Sequence, residues 1–298
     1  MALAEKLPAP FIDSLSTVFE DSDEIDSFLS SLDSDSPTSI RLNPAKSSRK
    51  PDEEPVSWNA DGYYLRSRPS FVAEAFWHAG YYYVQEASSM IVGHIIQQLK
   101  RTIADPIWVL DLCATPGGKS TDILSKLDGT DTLVSNEFVR SRSHILAENI
   151  SKWGASNAMV THNDPADFAA LKGMFDILVI DAPCSGEGLF RKDHEAIKEW
   201  STANVQLCAD RQEKIILDSW AGLREGGYLV YSTCTYNPME NERILQWMLS
   251  NFDVSSVSIK MDDSWGFQKN EVGGAQLFHA FPHRVRGEGF SFFVLQKH

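Results

Sequence analysis

Ile107-Trp-Val-Leu-Asp-Leu-Cys-Ala-Thr-Pro-Gly-Gly-Lys-Ser120 is the stretch that decides the fold. Its apolar opening, Ile107 to Asp111, reads as a buried strand, and Gly117-Gly118 mark a tight loop before a helix pattern that starts at Gly118. Strand, glycine loop and helix in that order form the nucleotide-binding corner of a Rossmann-type sheet. Downstream the same alternation continues. Thr132 to Asn136 predicts a strand, Arg140 to Trp153 a helix, and Asn157 to Thr161 a third strand. Phe175 to Asp181 is apolar enough for a central strand with both faces covered. A long helix over Ala203 to Arg224 stops at Gly226-Gly227, and Tyr228 to Ser232 reads as the fifth strand. Asn237-Pro-Met-Glu240 carries helix-start chemistry, with Asn as N-cap and Pro at the first position. Leu277 to Phe281 and Phe290 to Leu295 are closing strands, which makes residues 106–298 a doubly wound α/β domain.

Upstream of residue 106 the pattern is different. Phe11, Leu15, Val18 and Phe19, then Ile25, Phe28, Leu29 and Leu32, recur at helical spacing and predict two short amphipathic helices. Ser39 to Pro44 reads as a short strand, and Lys46 to Pro55 as a polar loop. Asp61-Gly62 turns the chain before Tyr63 and Tyr64. Tyr81 to Val84 predicts a strand, and Glu86 to Lys100 a helix. Residues 1–105 therefore form a smaller α+β domain.

A chain of 298 residues with 43% hydrophobic content buries a substantial core. No apolar run reaches the ~20 residues of a membrane span, and the N-terminus lacks the basic-then-apolar layout of a signal peptide. Four cysteines without CxxC spacing argue against a disulfide framework and against structural zinc. The expectation is a cytoplasmic protein with reduced thiols and no metal, a monomer favoured. The net charge of −14 means that any nucleic-acid partner requires segregated charge. Arg41, Lys46, Arg49, Lys50, Arg66, Arg68, Arg284 and Arg286 are the candidate basic face.

The glycine loop is not a Walker A motif, because Cys113 stands where its first glycine belongs, and the G-x-G-x-x-G dinucleotide fingerprint is absent. An adenosine ligand without a phosphate chain fits better. Glu137 follows the second strand, where an acid takes a ribose hydroxyl pair, and Asp164 follows the third, where a carboxylate accepts an adenine amino group. Two further thiols end strands: Cys184 in Asp181-Ala-Pro-Cys-Ser-Gly and Cys234 in Ser232-Thr-Cys-Thr-Tyr-Asn-Pro. One buried, inert cysteine is the ordinary case. Two on the same sheet edge, near a glycine loop, point to chemistry at an electrophilic carbon. Cys208 and the eight histidines show no ligand spacing, and Trp77 and Trp153 read as core.

Asp111–Ser120, Asp181-Ala-Pro-Cys-Ser-Gly-Glu-Gly188 and Tyr231-Ser-Thr-Cys-Thr-Tyr236 together resemble the signature of the Sun family of RNA cytosine-5 methyltransferases. The resemblance covers nearly the whole chain. Ser39–Pro44, Tyr82–Met90 and Pro282–Phe290 are similar to the bacterial branch that acts on small-subunit (16S) ribosomal RNA. The resemblance implies a Rossmann-like S-adenosylmethionine-dependent methyltransferase fold with an N-terminal RNA-binding domain. It implies donor contacts from Cys113, Ala114, Thr115, Pro116, Gly117, Gly118 and Lys119, and from Glu137, Asp164 and Asp181. It assigns Cys234 as the nucleophile, Cys184 to the release step, Asp181 to activation of the base, and Lys119 to support. A helix start just past Cys234 is compatible with a depressed thiol pKa there. Phe190 and Arg191 are candidates to stack on or clamp RNA, with packing the equal alternative for Phe190. Bacterial rRNA members often carry a further C-terminal RNA-binding domain, whereas this sequence ends at its last expected strand. A tRNA cytosine-5 methyltransferase, or a non-catalytic RNA-binding or ribosome-assembly factor on the same fold, stays open beside the rRNA enzyme. A DNA cytosine methyltransferase has no Thr-Cys-Thr cysteine, so Cys234 argues against it.

Overall fold

Val109, Leu110, Ile177, Leu178, Val179 and Ile180 are all fully buried, the condition of strands covered on both faces. In a computed structural model, which describes residues 3–47, 50–104 and 106–298, they lie on two neighbouring parallel strands. The chain forms two compact units by different lines from the expected boundary at residue 105. One comprises Pro37–Asp181 and Asp218–Leu229, the other Met1–Ser36, Ala182–Leu217 and Val230–His298.

The first unit holds two sheets. Strands β1 (Ser39–Leu42), β2 (Glu54–Pro55), β3 (Gly62–Tyr64) and β4 (Tyr82–Val84) form an antiparallel sheet ordered β2-β3-β1-β4. Strands β5 (Trp108–Asp111), β6 (Thr132–Asn136), β7 (Ala158–Thr161) and β8 (Phe175–Asp181) are parallel, in the order β8-β5-β6-β7. The chain winds outward from β5 through β6 to β7, then returns to the other side of β5 as β8. The winding therefore reverses between the ends of β5 and β8, at Asp111 and Asp181, where open α/β sheets bind ligands. This is the Rossmann-like arrangement the sequence predicts. Strand β9 (Leu223–Thr233) starts in this unit, and its residues from Val230 belong to the other.

In the second unit β11 (Gln268–Val272), β12 (Ala275–Ala280) and β13 (Phe290–Lys297) form an antiparallel meander, with β10 (Val254–Ser256) also paired to β13. Two N-terminal helices, Ala9–Ser14 and Ser22–Leu32, supply the apolar spacing that seals this unit. Phe11 packs edge-on against Phe190 at 5.1 Å and Trp200 at 5.8 Å. Phe28 packs edge-on against Tyr236 at 5.0 Å, and Phe19 meets Phe281 at 4.8 Å. Each such aromatic pair contributes about 0.5–1.5 kcal/mol beyond its buried area.

Several local expectations are corrected. The long helix ends at Ser219 and a 3-10 turn follows over Trp220–Gly222, so Arg224 lies in β9 instead of closing the helix. Glu54–Pro55 pairs with β3 inside what read as a loop. Asn237 is not a helix N-cap: its side chain accepts from the Met239 amide in a local turn, and the helix begins only at Glu242. The helix therefore starts well beyond Cys234, not just past it. Among the described residues no helix is long and apolar enough to cross a membrane.

Arg41 is the largest correction. Read as part of a basic face, it is fully buried. Its guanidinium lies 3.5 Å from Asp122 and donates to Gln85 Oε1, Ser125 Oγ, Thr121 Oγ1 and the Gly118 carbonyl. Asp122 in turn accepts from Asn59 Nδ2 and the Gly93 amide. Removing one partner of a buried pair leaves an uncompensated charge, so Arg41→Ala is expected to lower unfolding stability by about 3–5 kcal/mol. Urea denaturation checks this; an unchanged midpoint would return Arg41 to the surface role.

Candidate active site

In the first unit the loop after β5 runs past Asp111, whose carboxyl group is fully buried. One oxygen accepts from Ser120 Oγ at 2.6 Å and the other, Oδ1, has no partner. Burial, assisted by the charges of Asp181 and Glu137, pushes its pKa up to about 7. Gly117 sits at φ +110°, a conformation that glycine takes without strain, and turns the loop into the helix Gly118–Leu124. A Cβ at Gly117 would come within 3.3 Å of Leu146 Cδ1. Lys119 reaches Asp181 Oδ2 at 2.7 Å, so the supporting lysine and the acid at the end of β8 form one ion pair. Burial, followed by the charges of Asp111, Asp181 and Glu137, drives the Cys113 thiol far above its ordinary pKa and keeps it protonated. Cys113 is therefore no nucleophile.

Glu137 is buried beyond β6. Its Oε1 accepts from the Val139 amide at 2.8 Å, and Arg142 lies 3.8 Å from Oε2. Asp164 is exposed beyond β7 and uses Oδ1 to cap the 3-10 turn Pro165–Ala170 through the Ala166 amide at 3.0 Å. The four acids Asp111, Glu137, Asp164 and Asp181 thus mark the ends of, or the turns after, all four parallel strands of this unit.

In the second unit the two strand-end thiols meet. Cys184 Sγ and Cys234 Sγ are 3.0 Å apart, both half-buried and both free of disulfides. The hydrogen bond to Cys234 raises the Cys184 pKa well above the usual thiol value, with burial and the charges of Cys234 and Glu240 acting in the same direction. The two thiols thus share one hydrogen bond, in which either sulfur can be the donor. Cys208 lies buried in the helix Thr202–Ser219, where burial pushes its thiol up to about 11.

Two carboxylates that sequence reading missed brace these thiol loops. Glu187 accepts from Trp200 Nε1 at 2.9 Å, Asn237 Nδ2 at 2.8 Å and the Tyr236 amide at 3.2 Å, and burial raises its pKa. Glu240 accepts from the Ser185 amide at 3.0 Å and Gln212 Nε2 at 2.8 Å. Ser185 Oγ and Thr235 Oγ1, the residues next to the thiols, are 3.0 Å apart. The available signal is position: Glu187 and Glu240 follow Cys184 and Cys234 closely, Glu187 within the Asp181–Gly188 motif and Glu240 within the expected helix start.

Other expected RNA contacts are committed elsewhere. Phe190 is fully buried, and Arg191 binds Glu288 at 3.1 Å, the Gly287 carbonyl at 2.7 Å and Ser34 Oγ at 3.1 Å. Neither is offered to a ligand. Lys46 donates to the Ala79 and Lys152 carbonyls, Arg66 lies 3.3 Å from Asp52, and Arg284 pairs with Glu24 at 2.7 Å. Arg68 sits 5.5 Å over the Phe71 ring, Lys50 and Arg286 are exposed, and Arg49 lies outside the described residues.

With this geometry in place, comparison with known proteins is decisive. A family model described as "16S rRNA methyltransferase RsmB/F" matches residues 99–296, and one for the "N-terminal domain of 16S rRNA methyltransferase RsmF" matches residues 7–87. The chain belongs to the RsmB/F family. It is 33% identical over 306 residues to the Ribosomal RNA small subunit methyltransferase F of Pectobacterium atrosepticum, covering 98% of this chain and 63% of that one. The enzyme of the same name from Serratia proteamaculans is 37% identical over 252 residues, covering 82% and 52%. The chain thus spans between half and two thirds of the length of these relatives. In structure it is similar to NSun6 from Pyrococcus horikoshii, with a TM-score of 0.79 and 18% identity over 97% of this chain and 98% of that one. A methyltransferase homologue from the same organism gives 0.75 and 23% over 98% and 100%. These two likenesses concern the fold.

Asp111 supplies a direct check on the site's electrostatics. Its folded pKa of about 7 exceeds the unfolded value of 3.8, so the folded state holds a proton that the unfolded chain has lost between these limits. Stability must then fall as pH rises from about 4 to 7. Asp111→Asn cannot ionise and is expected to lose less stability between pH 5 and 8 than the parent, by on the order of 2 kcal/mol. Parallel pH series of urea melts with equal slopes would refute the assignment.

Proposed function

We propose that this chain transfers a methyl group from S-adenosylmethionine to carbon 5 of a cytosine in RNA, in 16S rRNA or the small ribosomal subunit, in the cytoplasm. The observation that carries the reading is the pair of free thiols 3.0 Å apart on two strand-end loops. Their motifs, Pro183-Cys184-Ser185-Gly186 and Thr233-Cys234-Thr235, are the two by which the sequence resembles the Sun family most specifically. Membership of the family supports the substrate class, and residues 1–105 are proposed to contribute RNA contacts.

The donor site fits this reading on two counts. Asp111 keeps a partnerless buried oxygen at the loop, and acids mark all four parallel strands where an adenosine's hydroxyl and amino groups need acceptors. Residues Cys113 to Lys119 with Glu137, Asp164 and Asp181 would hold the donor. When bound, S-adenosylmethionine supplies the methyl group at its sulfonium centre.

Carbon 5 of cytosine is a poor nucleophile, and covalent addition at carbon 6 overcomes this. The Cys234 thiolate forms the S–C6 bond, and the C5–C6 electron pair is released to carbon 5, the atom that would take the methyl group as the donor's S–CH3 bond breaks and its sulfur is left a neutral thioether. Asp181, oriented by Lys119, accepts a hydrogen bond from the N4 amino group and so holds the base in place for addition. Cys184, after losing its own proton to solvent, accepts the proton on carbon 5. The electrons of that C–H bond restore the C5–C6 double bond and expel the Cys234 sulfur as thiolate. The target base must be unpaired or flipped out to be reached.

The two thiols predict opposite phenotypes. Cys184→Ala is expected to accumulate an RNA–protein adduct that survives denaturing electrophoresis, and Cys234→Ala to form none, with product 5-methylcytosine lost by at least about a hundredfold in each. The reverse pattern would exchange the two roles. Absence of an adduct in both, with transfer intact, would remove the covalent route.

A further inference from the structure

Glu240 is the buried acid that the reaction above does not use, and it lies where the release step is set. Its carboxylate is fully buried, and the backbone on both sides of Cys184 is tied to it. On one side the Ser185 amide donates to Glu240 Oε2 at 3.0 Å. On the other, Gln212 Nε2 donates both to the Pro183 carbonyl at 3.1 Å and to the same Glu240 oxygen at 2.8 Å. Pro183-Cys184-Ser185 is therefore gripped at each end by one connected pair of side chains. The peptide carbonyl of Glu240 accepts from Tyr231 Oη at 3.0 Å, which anchors the acid itself to β9.

Resting on the reading above, we propose that Glu240 is a positioning residue for the release step. It holds Cys184 through the Ser185 amide and supplies the negative charge that faces this thiol once Cys234 is bonded to the base. The second half of the proposal follows from what addition removes. In the free protein the Cys184 proton is retained first by the hydrogen bond to Cys234, then by burial, then by the charge of Cys234. In the adduct the Cys234 sulfur is a neutral thioether, so its charge is gone and its hydrogen bond to Cys184 is weakened. Burial and Glu240 remain. The groups that face Glu240 are Ser185 and Gln212 as donors, and Glu187 as a like charge. Burial pushes the Glu240 pKa up to about 7, Glu187 adds to the rise, and the two donors oppose it. Cys208 also faces the acid from the helix Thr202–Ser219 and stays protonated. Glu240 thus ionises near neutrality, in the range where the charge on the neighbour of Cys184 matters for turnover.

Two substitutions separate grip from charge. Glu240→Gln keeps, with its oxygen in the place of Oε2, an acceptor for both the Ser185 amide and Gln212 Nε2; the grip persists while the charge is lost. Glu240→Met keeps the length and loses both. The experiment uses the full chain with a saturating methyl donor and substrate RNA. It measures adduct formation and 5-methylcytosine release in single-turnover time courses from pH 6 to 9, with Cys184→Ala on the same RNA as control. For Glu240→Gln the pH midpoint of release should fall by about one unit relative to the parent, as expected when a nearby like charge is removed. The addition rate should change less than twofold. For Glu240→Met, release should slow on the order of tenfold at every pH, with adduct accumulating, because a small misplacement of the acceptor is costly. A release midpoint unchanged in Glu240→Gln overturns the proposal, and so does a Glu240→Met whose addition slows as much as its release, which marks a purely structural residue. If Glu240→Met does not fold, the Glu240→Gln profile decides. Failure of Cys184→Ala to accumulate adduct would instead reject the covalent reading itself.

Discussion

Two sulfurs on separate loops stay 3.0 Å apart only if the backbone around each is fixed. In this protein that fixing is done by carboxylates buried beneath the loops. Glu187 gathers donors from Trp200, Tyr236 and Asn237, and Glu240 gathers donors from Ser185 and Gln212. Burying an ionised carboxylate without partners is expensive, so these acids are tolerated because each takes several hydrogen bonds. The aromatic contacts outside them serve the same end. Phe28 seals Tyr236 and Phe11 seals Phe190, so the N-terminal helices pack directly behind the segments that follow the two thiols.

The other unit uses acids differently. Its parallel strands carry Asp111, Glu137, Asp164 and Asp181 at or just beyond their ends, and Lys119 pairs with Asp181. A cluster of this kind raises the pKa of its most buried member, as at Asp111, and suppresses ionisation of any thiol among them, as at Cys113. The electrostatics that disqualify Cys113 as a nucleophile are the same that suit the loop to neutral or positive groups. The net charge of −14 is in this sense partly internal: Asp111, Asp122, Glu187 and Glu240 are buried and never meet a nucleic acid.

Much of this was legible in the sequence because each parallel strand is an apolar run bounded by polar residues. Val109-Leu110 and Ile177–Ile180 have no polar alternation to confuse the period, and Gly117 marks the loop by the one conformation it alone tolerates easily. Local chemistry misled where tertiary bonds compete with it. Asn237-Pro238 has every feature of a helix start, but Asn237 Nδ2 is drawn to Glu187 and its Oδ1 to the Met239 amide, which delays the helix to Glu242. Arg41 looked like a surface cation because nothing local shows that Asp122 and Thr121, far along the chain, will enclose it. Glu187 and Glu240 were invisible for the same reason: their partners are set by the fold, not by spacing.

The central claim is that Cys234, and not Cys184 or Cys113, becomes bonded to the cytosine. Substrate RNA carrying 5-fluorocytosine tests it most directly, since fluorine at carbon 5 denies the proton that release requires and leaves the adduct in place. Peptide mapping of the trapped protein by mass spectrometry is expected to find the nucleotide on the peptide containing Cys234, in the unmodified chain with all four cysteines present. A nucleotide on Cys184 or Cys113 would contradict the account.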